Sequence, residues 1–383
     1  MPNLPAPHAG LLSGERTWSS VVARAIFEVR SHSLKRSTVP FFVLAALVSR
    51  VAHADAPGVD IRTFPVSLDP LSGRSYESTK VPDRWSFSFI ASVAFSAFPV
   101  SLHDGNTGAL VARPVTETLH LDLGASVVVA RSLLLGLGVP MVFQSGNAGL
   151  RESWVTSGEA SPAAFGDLQL HAKYSVLAND GGGFGFAIAS NVAFPTGGKR
   201  SFASDNAVRV GVRALAEYDL LFAAVHASLG YRLRTTTTRW PDAPSGFVFG
   251  DDLPWSISAS FRPGFLSGNN RHHLDLGFAG SLPMGPVYPF GAGSPGSAAL
   301  TPVSLSLGDR IVIQDKVELV VGLEIGLTNA IGMSPLRPSL SLQYVSKVRD
   351  KDHDGVDDEK DECPDIAEDR DGIEDEDGCP DVE

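Results

Sequence analysis

The feature that most constrains this chain is an alternation of apolar and polar side chains, sustained from Arg84 to Tyr344 and broken by links that are long and short in turn. In TLHLDLGASVVV, Leu119, Leu121, Leu123, Ala125 and Val127 share one face of a strand, and His120, Asp122, Gly124 and Ser126 share the other. GDLQLHAKYSV, AVRVGVRALAEYDL and KVELVVGLEIGLT repeat the pattern, and similar segments start near Trp85, Leu133, Gly183, Phe222, Trp255, His273, Leu300 and Arg337. The total is about twelve strands. A period of two predicts an all-β chain but does not choose the solvent of the apolar face, because a soluble sandwich alternates too. The links decide. SLHDGNTGALVARP, SGNAGLRESWVTSGEASPAA, TGGKRSFASDN, TTTTRWPDAPSGFVFGDD and GPVYPFGAGSPGSA are long, the intervening ARS, NDGG, DL, SGNN and QDK are short, and NAIGMSP is moderate. All the long loops then lie at one end of an up-and-down meander, as in outer-membrane barrels.

The expected fold is therefore an up-and-down antiparallel transmembrane β-barrel over residues 84–346, apolar outside and polar inside. Strands in lipid satisfy their backbone only if the sheet closes, which excludes open edges. Trp85, Phe98, Phe143, Phe194, Tyr218, Tyr231, Trp255 and Tyr344 fall near strand ends, where an interfacial girdle belongs. The inward set includes Asp122, His171, Lys173, Arg209, Arg213, Glu217, His226, Arg232, Arg262, Asp275, Glu318 and Glu324, with both signs interspersed. These side chains either line a polar pore or pair into a salt-bridged plug, and alternation alone leaves both open.

Residues 1–54 read as an N-terminal extension and a secretory signal peptide. Lys35 and Arg36 precede an apolar run from Val39 to Val48, and small-x-small exits follow at Ala52-His53-Ala54 and Ala54-Asp55-Ala56. The run is too short for a membrane-spanning helix. No methionine stands between Met1 and Met141, so the residues before the basic pair suggest a start placed too early, with initiation near Val29 or Leu34. Residues 55–83 are expected to be a periplasmic lead-in to the barrel.

The tail, 347–383, is chemically separate. From Asp350 to Glu383 it carries 18 acids and three bases, a net −15 in a chain whose total is −12. Asp350, Asp352, Asp354, Gly355 and Asp361 fit the spacing D-x-D-x-D-G-x5-acid of a calcium loop, in which alternate carboxylates converge, Gly permits the turn and the Val356 carbonyl adds a ligand. Asp358 stands at the ninth position. The alternative is a solvated acidic linker. Cys363 and Cys379, the only cysteines, suit a disulfide in an oxidising compartment.

This tail resembles thrombospondin type 3 repeats, whose pattern is matched by Asp350, Asp352, Asp354, Gly355, Asp358, Asp361 and Cys363. A second copy, DRDGIEDEDGCPD, offers Asp369, Asp371, Asp375 and Asp377 before Cys379, but lacks one leading Asp and one residue before the Cys. A signal peptide, a barrel containing FGDLQLHAKYSV, GFGFAIASNVAFPTGG and ASLGYRLR, and then such repeats resemble the front of OmpA-like outer-membrane proteins of Gram-negative bacteria. The resemblance implies a calcium-stiffened periplasmic stalk. In that family a C-terminal domain grips peptidoglycan. The chain stops where that domain would begin, so peptidoglycan or periplasmic proteins are expected as partners only through a missing domain.

Chemistry of other kinds is scarce. There is no G-x-S-x-G, PTGGKRS places Arg200 where a phosphate loop needs Ser or Thr, and His272-His273 has no third ligand at metal spacing. The expectation is therefore no enzymatic activity and no nucleic-acid partner. Outer-membrane lipid and Ca²⁺ are the expected partners. The functions in contention are a structural envelope barrel with a calcium-binding stalk, a passive diffusion channel for small solutes, and, less strongly, calcium-dependent adhesion.

Overall fold

A computed structural model describes residues 60–62, 64–103, 110–146, 162–179, 182–198, 202–220, 222–239, 248–264, 271–284, 300–314, 316–346, 362–363 and 379–380. The signal-peptide reading of residues 1–54 and the calcium ligands expected from the sequence, Asp350, Asp352, Asp354, Val356, Asp358, Asp361, Asp369, Asp371, Asp375 and Asp377, lie outside the described residues. Cys363 and Cys379 lie within them and are joined by a disulfide, with their Cα atoms 5.1 Å apart.

The described chain folds as an all-β antiparallel barrel. Its strands are β1 (Phe87–His103), β2 (Leu110–Ala130), β3 (Leu133–Ser145), β4 (Ala163–Phe165), β5 (Leu168–Leu177), β6 (Gly183–Phe194), β7 (Arg209–Asp219), β8 (Ala223–Arg234), β9 (Thr238–Arg239), β10 (Val248–Phe249), β11 (Asp251–Phe261), β12 (His272–Met284), β13 (Val303–Gln314), β14 (Val317–Gly326) and β15 (Arg337–Val345). Three are accessory. The two-residue strands β9 and β10 pair only with each other, and β4 pairs with the upper part of β3 where β5 leaves off. The remaining twelve close on themselves, each hydrogen-bonded to its neighbours in sequence, with β1 against β15 through Ser88↔Val345 to Ala94↔Ser339. No barrel edge is left to pair with lipid, which is what a spanning sheet requires.

The two faces differ as the alternation requires. Phe89, Leu119, Leu123, Leu137, Val212, Leu229, Ile257, Leu276, Val321 and Leu340 are exposed on the outside, while Thr118, His120, Ser126, Lys173, Glu217, Asp275 and Ser341 are buried within. At the short-turn end, exposed Trp85, Phe87, Tyr174, Phe184, Tyr218, Phe222 and Tyr344 form a belt. Phe143, Phe165 and Tyr231 stand near the opposite end.

The strand limits depart from the sequence expectation mainly at β1 and β2. SLHDGNTGALVARP reads as a long loop, yet the ladder resumes past a bulge after Ala97, with Val100↔Val115, Leu102↔Ala112 and His103↔Leu110. Phe98 absorbs the bulge with a φ of 52°, and the Arg113 guanidinium lies 4.0 Å from the centre of its ring. β1 and β2 run 17 and 21 residues, longer than the other strands, so their hairpin carries on beyond the apolar band. A stretch wetted on both faces needs no alternation, which is why composition suggested a loop.

Candidate functional site

The barrel is not empty. The described residues from Asp60 to Lys80, expected from the sequence to be a periplasmic lead-in, run through its interior, and β7 serves as a ruler for their course. Asp60 contacts Arg209 at the long-loop end (2.7 Å), Glu77 pairs with Arg213, the Thr79 amide donates to Glu217 Oε2 (3.1 Å), and Lys80 reaches Asp219 at the short-turn end (2.7 Å). The chain thus enters from the long-loop end and leaves from the other, spanning some ten residues of β7, roughly 33 Å of strand. From there the Trp85 amide bonds the Val128 carbonyl (2.8 Å) and β1 begins. The correction has a physical reason. A short polar segment with charges of both signs is soluble in the periplasm and equally at home against a charged lumen, and nothing local distinguishes the two.

The upper limb is pinned at its start. Asp60 takes Arg62 and Arg209 at 2.7 Å each, its amide donates to Asp205 Oδ1 (2.7 Å), and the Ile61 amide donates to the Phe202 carbonyl (3.1 Å). Arg62 also lies 3.6 Å from Asp122. Midway, Leu68 packs against bare backbone. A Cβ placed on Gly136 or Gly138 would stand 3.2 or 3.3 Å from Leu68 atoms, and one on Gly124 would collide with Leu68 Cδ2.

The lower limb folds at Asp69–Ser72, where the Ser72 amide bonds the Asp69 carbonyl (3.2 Å), and charges of the wall hold it. Lys173, fully buried, donates to Asp69 Oδ2 (2.6 Å), to the Ser78 carbonyl (3.0 Å) and to the Lys80 carbonyl, so one ammonium ties both sides of the fold together. Asp275 accepts from the amide and hydroxyl of Ser75 (2.9 and 2.5 Å), and Arg74 reaches Glu324 (2.5 Å). Glu217 also takes the Ser78 hydroxyl (3.1 Å) and the Asn179 amide (3.2 Å), while Tyr76 stacks on His226 with ring centres 3.9 Å apart.

All twelve charged or ionisable residues read as inward from the sequence are on the lumen side. Eight of them make ion pairs or hydrogen bonds to the segment: Asp122, His171, Lys173, Arg209, Arg213, Glu217, Asp275 and Glu324. Of the others, His226 stacks on Tyr76, Arg232 pairs with Asp252, Arg262 with Asp219, and Glu318 with Arg310. The sequence reading missed the partner, Asp60 to Lys80. Its one legible signal was the mixed charge of Asp60, Arg62, Asp69, Arg74, Glu77 and Lys80, spaced like nothing that forms a strand or helix. His272, read as lacking metal-ligand company, pairs with Asp309 (2.8 Å), and among the described residues no cluster of metal-ligating side chains occurs.

Between segment and wall remains a cavity of ≈190 Å³, with Phe64, Pro65, Arg74, Asn191, Arg213 and Gln343 among its lining. A second, of ≈70 Å³, lies toward the long loops beside Asp60, Arg209, Arg234 and Ile331. Arg232 borders both.

No protein-family model matches the chain, and no curated protein does. Among solved structures it is similar to an outer membrane channel from Pseudomonas putida F1, with 15% identity and a TM-score of 0.51, covering 71% of this chain and 99% of that one. The NanC porin gives 8% identity and a TM-score of 0.42 over 68% and 98% of the two chains. The Pseudomonas putida toluene transporter TodX gives 10% and 0.34 over 76% and 99%. At 15% identity the likeness to the Pseudomonas putida F1 channel is one of fold, that of an outer-membrane β-barrel.

Proposed function

We propose that this chain is an outer-membrane channel for small solutes that rests with its lumen occupied by its own segment 60–80. The observation that carries the reading is the wall beneath that segment. Gly124, Gly136 and Gly138 make room for Leu68, and Gly308 and Gly322 make room for Arg74. A small barrel of about eight strands can fill its bore with the wall's own side chains, and a wider one leaves space. Here the wall leaves the bore open and a separate stretch of chain enters it, held by ion pairs and hydrogen bonds. Burying both partners of an ion pair costs several kcal/mol per ion, which their attraction offsets only in part, so such a grip fixes position without great strength. The fold shared with the Pseudomonas putida channel supports the same reading over a structural envelope role. No catalytic role is proposed.

Within this proposal the outer membrane of a Gram-negative bacterium is the location and its lipid the solvent of the exposed apolar face. The tail, with its OmpA-like and thrombospondin-like pattern, extends from the short-turn end as a periplasmic stalk that takes Ca²⁺. Planar-bilayer recording tests the central point. The wild-type protein should pass small, interrupted KCl currents, and deletion of residues 60–80 should give a large steady one. A wild type that is silent at every voltage, beside a deletion that conducts, would leave the structural envelope role in place of the channel.

A further inference from the structure

The ≈190 Å³ cavity has a consistent chemistry. It has room for about six waters at ~30 Å³ each. Every charged side chain on its border already has a counter-ion: Arg74 with Glu324, Glu77 with Arg213, Asp69 with Lys173, and Arg232 with Asp252. A solute bringing a net charge would find nothing unpaired to meet it and would lose its own hydration. Four buried atoms of lining residues have no hydrogen-bond partner: Glu77 Oε1 and His171 Nε2, which face each other as an ion pair at 3.2 Å, and, with no such counterpart, the Nε donor of Arg74 and the Oε1 acceptor of Gln343. Gln343 is itself only 4% exposed. The segment adds the apolar side chains Phe64, Pro65 and Val66 to the same cavity.

Balanced charge, an open donor and acceptor, and an apolar patch together define a ligand class. The geometry points to this cavity as a binding constriction for small uncharged solutes that carry hydroxyl groups on a compact carbon frame, with Gln343 as the residue that selects them. Charged solutes of the same size are excluded because the lining ions are spent on one another. This inference rests on the channel reading.

The test uses wild-type protein in planar bilayers, with D-arabinose as the probe and gluconate and choline as charged controls. After correction for bulk conductivity, arabinose should reduce the KCl current at concentrations where gluconate and choline do not. Gln343→Leu should need about tenfold more arabinose for half-block of its own KCl current, the loss of roughly one hydrogen bond. Gln343→Asn, which keeps a shorter amide, should fall between. Equal effects from all three solutes, or unchanged block in Gln343→Leu, would overturn the site while leaving the channel intact. Absence of any KCl current overturns the channel itself, and the recording shows this before any sugar is added.

Discussion

Lys173→Met removes one ammonium and almost no volume, at a side chain that is fully buried. The three acceptors it serves, Asp69 Oδ2, the Ser78 carbonyl and the Lys80 carbonyl, all belong to the internal segment. Removing one partner of a buried pair costs about 3–5 kcal/mol because the other charge stays buried. Asp69 keeps two bonds, from the Ser72 hydroxyl (2.6 Å) and the Leu71 amide (3.2 Å), so the low end, about 3 kcal/mol, is the appropriate figure. At 1.4 kcal/mol per decade the undocked fraction of the lower limb should rise on the order of a hundredfold. Thr79→Cys supplies the reporter. Thr79 is fully buried, and its hydroxyl is 3.4 Å from Glu217, so the substitution loses little. Labelling by a membrane-impermeant maleimide should accelerate by about that factor when Lys173→Met is added. Adding Asp69→Asn as well should recover part of the protection, since the stranded charge is then gone. An unchanged labelling rate in a barrel that remains folded would refute the argument that Lys173 holds the segment.

The outward and inward faces should differ sharply in tolerance. Leu121→Arg places a charge on the lipid side at a cost of about 2–4 kcal/mol near the midplane, whereas Asp122→Asn weakens one 3.6 Å contact to Arg62, and folding yields into lipid vesicles should rank accordingly. Gly124→Leu, whose first side-chain carbon already collides with Leu68, should fold but expel the upper limb, read as a steady increase in KCl current. The tail is expected to bind Ca²⁺ at about 10⁻⁴ to 10⁻³ M, and calorimetry on an oxidised peptide of residues 346–383 should lose the first site with Asp354→Ala. A peptide that takes up no calcium would make the tail a solvated linker. Because Asp60 lies at the long-loop end, an epitope placed just before it should be detected on intact cells, while one after Val345 should require permeabilisation.

Much of the barrel was legible because lipid enforces it. A strand whose outer face meets hydrocarbon must alternate, and where it does so the expected and observed limits nearly coincide, as at Leu133, Gly183 and Arg337. Where lipid stops, so does the signal, and the extended ends of β1 and β2 read as loop. The lumen was legible only by halves. Lys173 and Glu217 were visibly inward, but whether such groups line a pore or grip a plug depends on a partner a hundred residues distant along the chain. Asp69 and Thr79 carry no periodicity that announces where they dock. The glycines beneath the segment were equally silent, since Gly124 in a strand looks the same whether it faces water or Leu68.

The claim on which the rest depends is that segment 60–80 lies within the barrel, and a single cross-link tests it. A Cβ at position 136 would lie 3.2 Å from Leu68 Cβ, a few tenths of an ångström short of the ~3.5–4.5 Å that disulfides span. Leu68→Cys with Gly136→Cys, on a background of Cys363→Ser and Cys379→Ser, should oxidise spontaneously in isolated outer membranes, giving a protein with no free thiol and a mass lower by two hydrogens. Two freely alkylated thiols in a folded barrel would place the segment outside the lumen and contradict the account.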